Sequence, residues 1–174
     1  MWSSDGMTTR RTVLLGASLA LGACNLRPML HSVNDEGVRG QLEATKVAGL
    51  DGRLGQLVRN ALLDELNPAG VDAPSAYILD VKLQRNAQAL GIQSNNVITR
   101  FNLRLTARFE LVDAKSGKVL YQSQVQRIAS YNVGQDPYAT LSAETDAERR
   151  VAREVGNNIA TLLAVHFARQ TSPA

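Results

Sequence analysis

Between Arg100 and Leu111 every second residue is apolar. Phe101, Leu103, Leu105, Ala107, Phe109 and Leu111 alternate with Arg100, Asn102, Arg104, Thr106, Arg108 and Glu110. A strict period of two separates an apolar side from a wet side only in a β-strand, where successive side chains point to opposite faces. Such a strand needs partners for its backbone and a cover for its apolar side. These two demands organise the reading of the rest of the chain.

Partners lie on both sides in sequence. Tyr77, Leu79, Val81 and Leu83 alternate with Ile78, Asp80, Lys82 and Gln84, and Gly91 to Asn96 follows as a loop in which Asn95-Asn96 suits a turn. Asp113 to Lys118 reads as a hairpin loop. The next strand runs from Val119 to about Ser130, with Val119, Tyr121 and Val125 on one side and Gln122, Gln124 and Gln126 on the other. Leu42 to Gly49 is a weaker strand candidate, favoured by Thr45 and Val47.

Two helical patterns provide the cover. After Asp51, a capping residue, Leu54, Leu57, Val58, Ala61, Leu62 and Leu66 recur mostly at steps of three and four, and Asn67-Pro68-Ala69-Gly70 stops the pattern. Asp136-Pro137 opens the second helix, whose buried face is marked by Ala147, Val151, Val155, Ile159, Leu162 and Leu163. Its acidic residues lie toward the start, and His166 and Arg169 near the end, which suits the helix dipole. Phe101, Leu105 and Phe109 are expected to face Val151, Val155 and Ile159 or the first helix. The expected fold is an α+β two-layer sandwich: a mainly antiparallel four-stranded sheet with two amphipathic helices on one face. The other face would carry Arg100, Arg104, Arg108, Lys82 and the glutamines, because an antiparallel sheet tolerates one wet face.

The N-terminal region obeys different chemistry. Arg10 and Arg11 precede the apolar run Val13 to Ala20, and Leu21-Gly22-Ala23-Cys24 follows. A positive start, a short apolar run and a small-residue site make a secretory signal peptide. The run is shorter than the roughly 20 apolar residues that a membrane-spanning helix needs. Cysteine directly after the small residues makes the site a lipobox. Cleavage between Ala23 and Cys24 and attachment of palmitate-type acyl chains at Cys24 are therefore expected. The domain reading is a signal peptide over 1–23, a lipidated tether over 24–40, the folded domain over 41–170 and a frayed tail over 171–174. Thr9-Arg10-Arg11-Thr12-Val13-Leu14 also suits twin-arginine export, so the route, Sec or twin-arginine, stays open.

Several functions are disfavoured by what the chain lacks. Cys24 is the only cysteine, so no intrachain disulfide can form, and His31 and His166 are the only histidines, too few for a typical zinc site. No phosphate-binding loop is present: the glycines of Gly49 to Gly55 have no Lys-Ser or Lys-Thr after them. No nucleophile–base pair stands out, so neither an enzyme nor a cofactor is expected. The net charge is +3, and removing 1–23 takes Arg10, Arg11 and Asp5 with it, leaving +2. That is too weak a charge to point to nucleic acid. The remaining candidate is the stripe Arg100, Arg104 and Arg108, which an even spacing puts on one strand face. Guanidinium groups suit phosphates and carboxylates; the plainer reading is a solvated face, screened or neutralised by neighbours such as Asp80.

These residues together resemble the LptE family of lipopolysaccharide-assembly lipoproteins. The likeness starts at Cys24-Asn25-Leu26-Arg27-Pro28-Met29-Leu30, close to the family's Cys-Gly-Phe-Arg-Pro-Leu, with Asn25 and Leu26 as departures. It continues through Gly55 to Leu62, Ser116 to Leu120, Ala129 to Asn132, and Tyr138 to Glu144 with Ala147. The resemblance implies a lipid-anchored protein on the periplasmic side of the outer membrane, a plug and assembly partner of an LptD-like barrel that handles lipopolysaccharide. Arg100, Arg104 and Arg108 are then the expected contacts to lipopolysaccharide or to the barrel. The alternative is a lipoprotein auxiliary of an ABC-type lipid or solute transporter.

Overall fold

The computed structural model describes residues 35–92 and 98–171. Its elements are α1 (Asp35–Glu43), β1 (Thr45–Val47), α2 (Gly52–Leu66), β2 (Tyr77–Ile92), β3 (Ile98–Asp113), β4 (Val119–Asn132) and α3 (Pro137–Thr171). The strands form one sheet in the order β1-β2-β3-β4. Strand β1 runs parallel to β2, and the other neighbours are antiparallel. The α+β class and the mainly antiparallel four-stranded sheet are as expected from the sequence.

The alternating residues of β3 divide as their chemistry requires. Leu103, Leu105, Ala107, Phe109 and Leu111 are buried in one cluster with Val58, Leu62 and Leu66 of α2 and Val151, Val155, Ile159, Leu163 and Phe167 of α3. Phe101 is only partly buried and stacks on Tyr131, ring centroids 5.6 Å apart. Helix α3 is roughly 52 Å long at 1.5 Å per residue and matches 16-residue β2 at roughly 53 Å. One helix can therefore roof the sheet from end to end.

Helices α2 and α3 cross at Gly156. A Cβ there would lie 2.8 Å from Ala61 Cβ and 3.2 Å from the Ala61 carbonyl carbon. The glycine is required by this close approach. At the start of α3, Asp136 Oδ1 accepts the Tyr138 amide at 2.9 Å, the expected cap. Asp51 sits at the N-cap of α2 with extended backbone, but its side chain makes no capping bond.

The structure departs from the expectations in four places. Residues from Asp35 to Glu43 form α1, so the end of the stretch read as a tether is helical, and the strand expected over Leu42 to Gly49 shrinks to Thr45–Val47. Val38 and Leu42, one helical turn apart, pack against the core and hold α1 in place. Strand β2 continues past Gln84 to Ile92. Val119 is 44% exposed, because the register shifts between Leu111 and Val112 and turns Val119 away from the side of Tyr121 and Val125. Leu162 is only partly buried, and the buried face of α3 instead includes Ala152, Gly156, Ala160 and Phe167.

Candidate binding face of the sheet

The helices pack on one side of the sheet and leave the other open. Strand register converts that open face into rows of directly opposed residues. Asp80 lies opposite Glu110, which lies opposite Gln122. The next row is Lys82, Arg108 and Gln124, and then Gln84, Thr106 and Gln126. Arg104 stands between Asn86 and Ile128, and Arg100 between Gly91 and Asn132. Arg100, Arg104 and Arg108 are all exposed and share this face, as their even spacing requires.

The expected neutraliser, Asp80, is elsewhere in the pattern. It faces another carboxylate, Glu110, while Arg108 faces Lys82. Among the described residues, no ion pair engages Arg100, Arg104, Arg108, Lys82, Asp80 or Glu110. Arg108 Nε donates to Gln124 Oε1 at 2.9 Å, which orients the guanidinium without cancelling its charge. The two opposed like-charge pairs line a shallow concavity of about 490 Å³, with Gln122 and Gln124 on its far wall.

The helix-facing side treats its charges differently. Arg85 lies on the inner side of β2 and bonds Glu144 of α3, with Glu148 at 3.4 Å from its Nε. Arg53 of α2 also bonds Glu148, so the acidic start of α3 is tied to both the sheet and α2. Arg127 reaches Asn158 of α3. Sequence periodicity missed Arg85 and Arg127 because charged residues at inward positions break the alternation that marks a strand.

The remaining candidates are accounted for structurally. His166 stacks on Tyr121, ring centroids 4.6 Å apart, and burial together with Arg169 holds its imidazole below the ordinary histidine range. In the Asp113–Lys118 turn, Asp113 Oδ1 accepts the amides of Lys115 and Ser116 and the Ser116 hydroxyl, at 3.1, 2.7 and 2.8 Å. The Ser116 bonds foremost hold that carboxyl below its usual value. Gly117, at φ 69°, supplies the left-handed residue the turn needs. Among the described residues, no cluster of metal-ligating side chains occurs, and no helix is long and apolar enough to cross a membrane. Ala23 and Cys24 lie outside the described residues.

The fold is shared with solved structures of bacterial lipoproteins. A crystal structure described as that of a lipoprotein from Caulobacter crescentus CB15 is 31% identical, covers 79% of this chain and 99% of its own, and superposes with a TM-score of 0.67. A minor lipoprotein from Acinetobacter baumannii (20% identity, 71% and 94% coverage, TM-score 0.55) and rare lipoprotein B from Shewanella oneidensis (15%, 74% and 97%, 0.52) share the fold. An uncharacterised protein of Rickettsia prowazekii is 26% identical over 98 residues, which cover 56% of this chain and 62% of that relative. The model of the LptE lipopolysaccharide-assembly family matches residues 41–163. The chain belongs to the LptE lipopolysaccharide-assembly family.

Proposed function

We propose that this protein is an outer-membrane lipoprotein that plugs and helps assemble an LptD-like barrel and takes part in moving lipopolysaccharide to the cell surface. The family match over residues 41–163 carries this reading. The chemistry of the open face supports it. Large outer-membrane barrels have polar interiors, and this domain offers an uncovered face of arginines, glutamines and asparagines. Arg100, Arg104 and Arg108 contact anionic groups there, either barrel carboxylates or the phosphates and carboxylates of lipopolysaccharide, which arginine binds in two-pronged fashion. The lipobox supports an acyl anchor at Cys24 after cleavage behind Ala23, holding the domain at the periplasmic side of the membrane.

The test is affinity recovery of the full-length protein from outer membranes in its own cell. A barrel of the LptD type is expected among the recovered proteins, and a permease complex without a barrel would overturn the reading in favour of an ABC-type auxiliary. In the same cells Cys24→Ala abolishes incorporation of labelled fatty acid. A wild type that takes up no label would remove the anchor from the account.

A further inference from the structure

We infer that the open face meets the barrel through two adjoining bands of opposite charge, acidic at Asp80–Glu110 and basic at Lys82–Arg108, and that this pattern fixes how far along the sheet the partner sits. The inference rests on the barrel reading above and deepens it.

The register is the starting point. Asp80 directly opposes Glu110, and Lys82 directly opposes Arg108. Like charges directly opposite on neighbouring strands are destabilising, and within the sheet only the diagonal neighbours, Asp80 with Arg108 and Lys82 with Glu110, offset this at longer range. A sheet optimised for itself would place the acids opposite the bases, a change of only two positions on one strand. The third strand brings no relief: Gln122 and Gln124 complete the two rows and carry no charge. Among the described residues, neither row is joined to a counter-ion by an ion pair. The four charged side chains instead surround one shallow concavity of about 490 Å³ that opens to the outside.

The two rows differ in what they accept. A polyanionic glycolipid laid over the basic row would bring its phosphates to within one row of Asp80 and Glu110, a separation of about 6.6–6.8 Å along a strand. The acidic row therefore disfavours such a ligand at this end of the face. A protein wall can present a cationic patch and an anionic patch side by side, and it satisfies both rows at once. A slip of one row would set base against base in one direction and acid against acid in the other, so the bands penalise misregister as well as reward the correct one. Arg104 and Arg100, beyond the neutral row of Gln84, Thr106 and Gln126, are free of this conflict and are where an anionic lipid would bind.

The experiment uses the full-length, lipidated protein co-expressed with the LptD-type barrel of its own organism, and vesicles containing purified lipopolysaccharide as the second probe. Two variants are compared with the wild type after their unfolding midpoints have been checked. One neutralises the acidic row, Asp80→Asn with Glu110→Gln. The other exchanges the bands at constant net charge: Asp80→Lys, Lys82→Asp, Arg108→Glu and Glu110→Arg. Loss of the exposed ion pairs made by the two carboxylates, together about 1 kcal/mol, corresponds to roughly a fivefold fall in barrel recovery for the first variant. The exchanged variant, which loses both rows, is expected to fall further. Lipopolysaccharide binding by the first variant is expected to hold or rise. Barrel recovery equal to wild type in both folded variants overturns the two-band contact and leaves the barrel reading intact. A lipopolysaccharide signal that falls when the acidic row is neutralised also overturns it, because the acids would then serve the lipid. A wild type that recovers no barrel overturns the reading on which the inference rests.

Discussion

Strand β3 has two faces, and residues one position apart on it follow different rules. Leu103, Leu105, Ala107 and Leu111 are fully buried, and Phe109 is 1% exposed. Arg100, Arg104, Arg108 and Glu110 on the other face are exposed, and their charges are set without ion pairs among the described residues. Where a charge does occur on the helix side, as at Arg85, it is matched by glutamates of α3. The covered face thus satisfies itself. The open face carries opposed like charges, Asp80 with Glu110 and Lys82 with Arg108, that no ion pair among the described residues joins. One face explains the fold; the other makes sense with something outside the chain.

If the covered face is the source of stability, the largest loss comes from emptying it. Phe109→Ala is expected to cost about 3–5 kcal/mol in chemical denaturation. A loss well under about 1 kcal/mol, the range of surface changes, would mean that β3 buries its other side.

A subtler break acts at the helix crossing. Alanine normally favours a helix over glycine by about 1 kcal/mol. At Gly156 the new methyl would meet Ala61 at 2.8 Å. Gly156→Ala is therefore expected to destabilise by about 1–3 kcal/mol, the usual cost of overpacking. Adding Ala61→Gly should recover a substantial part of the loss. A stabilised Gly156→Ala protein would show that the two helices have room to separate.

The smallest effect concerns His166, at the covered side of Tyr121. Burial, then Arg169, lowers its proton affinity in the folded state. As pH falls below about 6.5, the unfolded chain takes up the proton first. Stability that is full above that pH is lost as pH drops through the folded value. His166→Phe removes this contribution, so its stability should fall less steeply between pH 7 and 5 than that of the wild type. Parallel curves would mean that the imidazole is as easily protonated in the fold as out of it.

The sequence made the strands legible because apolar and polar residues alternate so cleanly in β3, and the end of α3 because aliphatic residues recur at helical spacing. Short or interrupted patterns were less legible. Helix α1 packs through Val38 and Leu42, carries two glycines, Gly37 and Gly40, and reads as a spacer until the core that receives it is seen. Strand β2 runs on through Arg85 because glutamates distant in sequence make a charge acceptable on the inner side. Val119 changes sides through a one-residue register shift that turn chemistry decides. The arginine stripe could be placed on one face from spacing alone. What lies beside it could not: parity assigns a residue to a face, whereas the opposition of Asp80 to Glu110 depends on the register of two strands.

The separation of the two faces is tested most directly by Arg100→Gln, Arg104→Gln and Arg108→Gln in one protein. Unfolding free energy and recovery of the barrel and of lipopolysaccharide are measured on the same preparation. Exposed substitutions of this kind change stability within about 0.5 kcal/mol each, so the fold is expected to persist. Recovery of at least one anionic partner is expected to fall, and in the wild type to weaken with added salt, because exposed charges are screened over about 8 Å at physiological ionic strength. A triple variant that is folded and recovers both partners as the wild type does would contradict the account and make the open face a solvated surface.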